Sequence, residues 1–289
     1  MNQLSTMFWK KWISNASEKD PSPVLNELRA VALSDVGCVR ANNEDATRFI
    51  RPATREVQLN KGYLAIVADG MGGHAAGEVA SQMATEVVSK TYYQREESPE
   101  ESLYFALAKA NRLIWQAAGR NSRQKGMGTT CTTVVIRATQ LYVAHVGDSR
   151  AYLYKNGQLI RLTTDHTYVQ RLVNDGVIKP TEAETHPERN ILTRAMGTHN
   201  KVEIDVEKPG YLFEEGDRLL LCSDGLYDYL TDDELAAWLN LETLSESAQQ
   251  MIEEAKVRGG HDNITVLLIE RISPDESAVV RPTENLDLL

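Results

Sequence analysis

The sequence predicts a single α+β domain, a four-layer α-β-β-α sandwich in which two mostly antiparallel sheets are flanked by helix pairs. Three observations carry this reading. Strand-like runs follow one another without helices between them, which favours antiparallel pairing. Asn156-Gly157 joins two such runs and supplies the two positive-φ positions of a type I′ hairpin turn. Helical patterns come in two pairs that bracket the block of strands.

Taken in order, residues 1–28 read as an N-terminal extension, expected to be flexible, with an aromatic and basic patch at Phe8, Trp9, Lys10, Lys11 and Trp12. "YLAIVAD" (63–69) is a buried strand. Four glycines and a histidine follow, and then Val79, Met83, Val87 and Thr91 recur at helical spacing. Ser98-Pro99-Glu100-Glu101 reads as a capping box opening the second helix, with Gly119 as its end. "TCTTVVIRA" (130–138), "QLYVAHVG" (140–147) and "RAYLYKNGQLIRL" (150–162) supply strands and the hairpin. The polar stretch from 164 to 194 reads as a surface excursion with a short helix. "DRLLLCSD" (217–224) and "NITVLLIE" (263–270) are further strands. Between them Thr231 with Glu234, and Thr243 with Glu246, cap the second helix pair, which ends near Gly259. Residues 272–289 read as a tail.

The 289 residues carry 31 basic and 41 acidic side chains, a net charge of −10. That balance argues against nucleic acid as a partner, since phosphate backbones call for a basic face. Cys38, Cys131 and Cys222 are odd in number and match no zinc or redox spacing, so a reducing, cytoplasmic setting is expected. Cys131 and Cys222 lie in apolar runs and read as core residues. No apolar run approaches the length of a transmembrane segment. Without a coiled-coil seam, a monomer is expected.

Five acids fall at the ends of strand-like runs: Asp45, Asp69, Asp148, Asp224 and Asp262. Carboxylates gathered in one place repel, by about 4 kcal/mol for a pair 4 Å apart at an effective dielectric near 20. Such a cluster needs protons or cations, and oxygen ligands without His or Cys favour Mg²⁺ or Mn²⁺. Gly70 beside Asp69 leaves its carbonyl free to approach an ion, and Gly72 and Gly73 permit the reversal into the helix.

"SDVGCVRANNEDA", "VADGMGGHAAGEVAS", "GMGTTCTTVVI", "VAHVGDSRAYLY", "LLCSDGLYDYL" and "GGHDNITVLLI" occur in that order. Together they resemble the metal-dependent protein phosphatases of the type 2C family, in its compact bacterial form, over about 29–271. The resemblance implies a serine/threonine phosphatase in which two Mg²⁺ or Mn²⁺ ions activate water, with a third, weaker ion. It implies that Asp69 bridges the two ions, that the Gly70 carbonyl binds one, and that Asp224 and Asp262 complete the other's shell. Glu44 and Asp45 hold bound waters or stand behind the ligands, and Asp148 joins Asp224 in the third site. Asp228 matches another acid near the metals, Asn263 orients Asp262, and Arg40 grips the substrate phosphate.

Some members place histidine directly after the "DG", where this chain has Met71. His74 is then either the proton donor to the leaving alkoxide, a role that a metal-bound water could also fill, or a helix-start histidine bonded to nearby backbone. His145 reads as a satisfied core histidine, and His166, His186 and His199 carry no assigned role. About 165–194 corresponds to the family's flap. The expected partners are phosphoprotein substrates and an opposing serine/threonine kinase. The alternative is a catalytically weak regulatory module that binds phosphoproteins.

Overall fold

The computed structural model describes residues 28–72 and 76–272. His74, the 8–12 patch and the C-terminal tail lie outside them. One sheet contains β1 (Leu28–Asp35), β7 (Arg150–Lys155), β8 (Gln158–Arg161), β10 (Arg218–Cys222) and β11 (Ile264–Arg271), in the order β1-β11-β10-β7-β8. The other contains β2 (Asp45–Ile50), β3 (Tyr63–Met71), β5 (Cys131–Arg137), β6 (Gln140–Val146) and β9 (Asp205–Glu207) in that order, with β4 (Gly128–Thr129) paired to β3. Every ladder is antiparallel.

Three separate apolar clusters fill the three gaps of a four-layer sandwich. Alternation along single strands distributes residues between them. On β3, Leu64, Ile66 and Ala68 face α2 (Ala76–Gln94) and α3 (Pro99–Arg120), while Ala65 and Val67 face the opposite sheet. On β11, Val266 and Leu268 face α7 (Asp232–Leu239) and α8 (Leu244–Val257), while Leu267 and Ile269 face inward. Strands buried on both faces therefore read as unbroken apolar runs.

The hairpin turn is as expected, with Asn156 at φ 52° and Gly157 at φ 77°. Thr231 and Glu234 form a reciprocal capping box. At α3, Ser98 Oγ accepts from the Glu101 N–H, but the Glu101 carboxylate accepts from the Ser98 hydroxyl rather than its backbone, so the box there is half made. That helix runs one residue past Gly119. Among the elements that went unread in the sequence are β1, which pairs with β11 along its full length, and α1 (Arg55–Lys61), capped by Thr54. The 164–194 stretch carries α4 (Tyr168–Asn174) and the short α5 (Pro180–Ala183). α6 (Asp224–Tyr227) follows β10 directly.

Leu267 is fully buried between the sheets. Leu267→Ala should cost about 2–5 kcal/mol through lost transfer energy and a residual cavity. Equilibrium urea unfolding checks this, and a loss below about 1 kcal/mol would mean that the sheets collapse into the space.

Candidate active site

β2 and β3 run antiparallel in a register that sets Asp45 opposite Asp69. Like charges facing each other across a ladder destabilise it. Hydrogen bonds to the Asp69 backbone hold the arrangement. The Asp69 N–H donates to Thr130 Oγ1 at 2.8 Å, and its carbonyl accepts from the Thr130 N–H and the Thr129 hydroxyl, each at 2.9 Å.

The neighbouring glycines permit a crossing of bare chains. A Cβ on Gly70 would lie 2.2 Å from the Gly77 carbonyl oxygen, and one on Gly77 would lie 2.5 Å from Glu44 Oε2. The first turn of α2 thus passes against the end of β3 with Glu44 beside it. The Gly70 N–H and the Ser81 hydroxyl both donate to the Glu44 carbonyl, at 3.1 and 2.6 Å.

Asp224 enters from the other sheet, at the start of α6, and Asp262 from the turn before β11. Gly225 lets these turns touch, since a Cβ there would meet the Asn263 carbonyl at 2.1 Å. Asn263 was expected to orient Asp262, and its backbone N–H does donate to Asp262 Oδ1 at 2.8 Å. Its side chain has another task. Asn263 Oδ1 accepts from the Glu44 N–H, and Nδ2 donates to the carbonyls of Val36 and Asn42. It ties the Arg40–Glu44 loop to the second sheet.

The electrostatics follow from this convergence. Burial, then the charges of Asp45, Asp224, Asp148 and Asp262, push Asp69 well above the usual carboxylate range. Burial, then Asp148, Asp262, Asp228 and Asp45, do the same to Asp224. Burial is also the leading cause that raises Asp45 to about 6 and Asp148 to about 7. Arg40 Nη2 stands 2.7 Å from Asp262 Oδ2, with both side chains partly exposed. Burial opposes its charge, but Asp262, Glu44 and Asp69 together raise its pKa.

Among the described residues, no three His, Cys, Asp or Glu side chains already stand in a closed ligand geometry. The acids that converge nonetheless fit a hard divalent cation on two observations. Asp45 Oδ1 and Asp224 Oδ1 are buried without any hydrogen-bond partner. The donor set consists of oxygen alone, the ligand type suited to Mg²⁺ or Mn²⁺.

Asp228 sits close enough to raise Asp224 and Asp148, yet its carboxylate pairs with Arg189 of the 164–194 stretch at 3.0 Å. Several supporting residues went unread. Ser223 donates to Asp45 Oδ2 at 2.7 Å and accepts from the Thr265 N–H. Its one signal was its place directly before Asp224. Arg150 lies 3.5 Å from the Tyr227 ring centre and pairs with Asp165, while the Tyr227 hydroxyl donates to the Asp148 carbonyl at 3.0 Å. Burial would raise Asp165, but Arg150 and Arg161 hold it below its ordinary value.

His145 corrects an expectation. Its Nδ1 pairs with Thr132 Oγ1 at 2.9 Å, but its Nε2 is buried without a partner, so it is half satisfied. Burial, then His166, lower it to about 3 and keep it neutral. The expectation failed because the ring packs 4.7 Å from His166, a neighbour far away in sequence. His166 itself accepts from the Gly147 N–H and pairs with Asp205. No helix among the described residues is long and apolar enough to cross a membrane.

The serine/threonine protein phosphatase PstP of Mycobacterium tuberculosis is 39% identical over 252 residues, covering 86% of this chain and 46% of its own length. This chain therefore spans about half the length of that relative. The serine/threonine phosphatase stp of Listeria innocua is 39% identical over 250 residues, covering 84% of this chain and 96% of its own. A crystal structure of the PstP catalytic domain in complex with two manganese ions has a TM-score of 0.70 and 36% identity, over 85% of this chain and 99% of that one. Residues 40–259 match the family described as Protein phosphatase 2C, and with the acids gathered on the edge of its two-sheet fold, the chain belongs to that family.

Proposed function

We propose that the chain is a metal-dependent serine/threonine protein phosphatase, which hydrolyses phosphoserine and phosphothreonine in proteins. The convergence of Asp69 and Asp224, each pushed well above its ordinary pKa by burial and then by the other acids, supports this most directly. The catalytic unit is about 29–271, with 165–194 as the flap.

Asp69, the Gly70 carbonyl, Asp224 and Asp262 hold two hard cations, Mg²⁺ or Mn²⁺, with Glu44 and Asp45 behind them. Asp148 and Asp224 would form a weaker third position, with Asp228 near the metals. When bound, such ions polarise phosphoryl oxygens and lower the pKa of water. The chain's own groups do the rest. Thr129 and Thr130 clamp the Asp69 backbone, and Ser223 turns Asp45 into the site. Arg40, half exposed at the rim, offers the remaining donors of its planar fork to the phosphoryl oxygens. His74 is the candidate proton donor to the leaving alkoxide. A serine/threonine kinase is the opposing partner, and the enzyme acts as a monomer. The free thiols of Cys131 and Cys222 support a reducing compartment.

The test is phosphate release from a phosphothreonine peptide with Mn²⁺ and then with EDTA. Asp69→Asn and Asp224→Asn should each lower kcat/KM at least about 100-fold, the upper range for residues that merely support metal ligands. Arg40→Ala should raise KM by about 10-fold with a smaller change in kcat. A wild-type protein that binds the peptide and Mn²⁺ yet releases no phosphate would instead be a phosphoprotein-binding module.

The raised carboxyls also set a pH dependence. Asp45 and Asp148 have higher pKa values folded than their ordinary 3.8, so folding favours their protonated forms. That stabilisation is full below about pH 4 and is lost as pH rises through about 6 for Asp45 and about 7 for Asp148. In EDTA, stability to urea should fall between pH 5 and 8, by at least the roughly 1.4 kcal/mol of one unit on one group. Mn²⁺ should restore more stability at pH 8 than at pH 5. A flat profile in EDTA would contradict the convergence of the acids.

A further inference from the structure

Beside the carboxylate edge, α3 ends at Arg120 and the chain turns through the 3-10 helix Ser122–Gln124 into β4. Between that turn and Gly197-Thr198 lies an open groove of about 500 Å³. Trp115 forms one wall and is 41% exposed. Arg120 and Lys125 are exposed on its rim, and neither pairs with a carboxylate among the described residues. Gly126 lies on the groove with open space where its side chain would stand.

The groove abuts the strand that carries Asp69. A Cβ on Gly72 would lie 2.9 Å from Met127 Cα and 3.4 Å from the Gly126 carbonyl oxygen. One on Gly128 would touch both Thr198 Cγ2, at 3.0 Å, and Met71 Cγ, at 3.4 Å. Gly128 and Thr129 pair with Met71 and Gly70. Gly72 follows Asp69 by three residues, which extended chain covers in about 10 Å. An extended peptide spans the same distance in three residues.

Charge indicates the occupant. The protein carries a net charge of −10, and a phosphopeptide approaches it bearing a further negative charge near −2. Two cations without a carboxylate partner among the described residues, beside an exposed indole, provide local attraction that the whole molecule opposes. We propose that this groove docks the stretch of substrate flanking the phosphorylated residue and selects acidic residues about three to five positions from it. This rests on the phosphatase reading above and names the substrate class it favours.

The experiment uses the full chain and two phosphothreonine peptides of equal length. One carries Glu and the other Lys at positions three to five on both sides. Wild type should favour the acidic peptide by about 3- to 10-fold in kcat/KM, mainly through KM, the range that two exposed ion pairs supply. The preference should shrink as salt rises. The double variant Arg120→Glu with Lys125→Glu should lose or invert it, while hydrolysis of p-nitrophenyl phosphate, too small to reach the groove, stays unchanged. Equal preference in wild type and variant would overturn the proposal. So would a parallel loss on the small ester, or a dimer of wild type in sedimentation that the variant abolishes. Fluorescence anisotropy of the labelled peptides in EDTA reads docking without turnover. A charge-dependent difference there, with no phosphate release in Mn²⁺, would uphold the groove and defeat the catalytic reading.

Discussion

Asp45 and Asp69 face each other across one ladder, and Asp148, Asp224 and Asp262 add their charges from the neighbouring turns. Left to themselves, these groups would move apart or take up protons. The fold prevents the first by clamping the Asp69 backbone between Thr129 and Thr130 and by tying the Glu44 loop to the turn of Asp262 through Asn263. It leaves the second, or cation binding, as the means of relief. Burial, and then the charge of neighbouring acids, raises Asp45 and Asp148 above their ordinary values.

Rigidity comes from the layers. Both sheets are covered on both faces, so a strand end cannot shift without disturbing two cores. Where chains must touch, side chains are absent: Gly70 against Gly77, and Gly225 against Asn263. Asn263 then couples the two sheets at the site, fastening the loop of Arg40 and Glu44 to the turn that bears Asp262. A polar side chain with three partners does here what apolar packing does elsewhere.

The stretch from 164 to 194 is less peripheral than its polarity suggests. Asp165 and His166 are buried, and each reaches a different element of the two-sheet frame. Arg189 meets Asp228 beside the acidic edge, in a pair exposed enough to be screened by salt. The attachment is thus firmer at its base than at its tip.

The amino-acid sequence determined the layers, because alternation and helical spacing are local patterns, and it marked the five acids, because each ends an apolar run. It also identified the hairpin at Asn156-Gly157, where only two residues set the turn. It did not reveal β1, whose eight residues owe their strand to pairing with β11 more than 200 positions away. Nor did it reveal Ser223 as the partner of Asp45, the half-satisfied state of His145, or Arg189 on Asp228. Those contacts join residues distant in the chain. Only the tertiary structure decided them, because hydrogen bonds and charge pairing act over a few ångströms in space and leave no periodicity along the sequence.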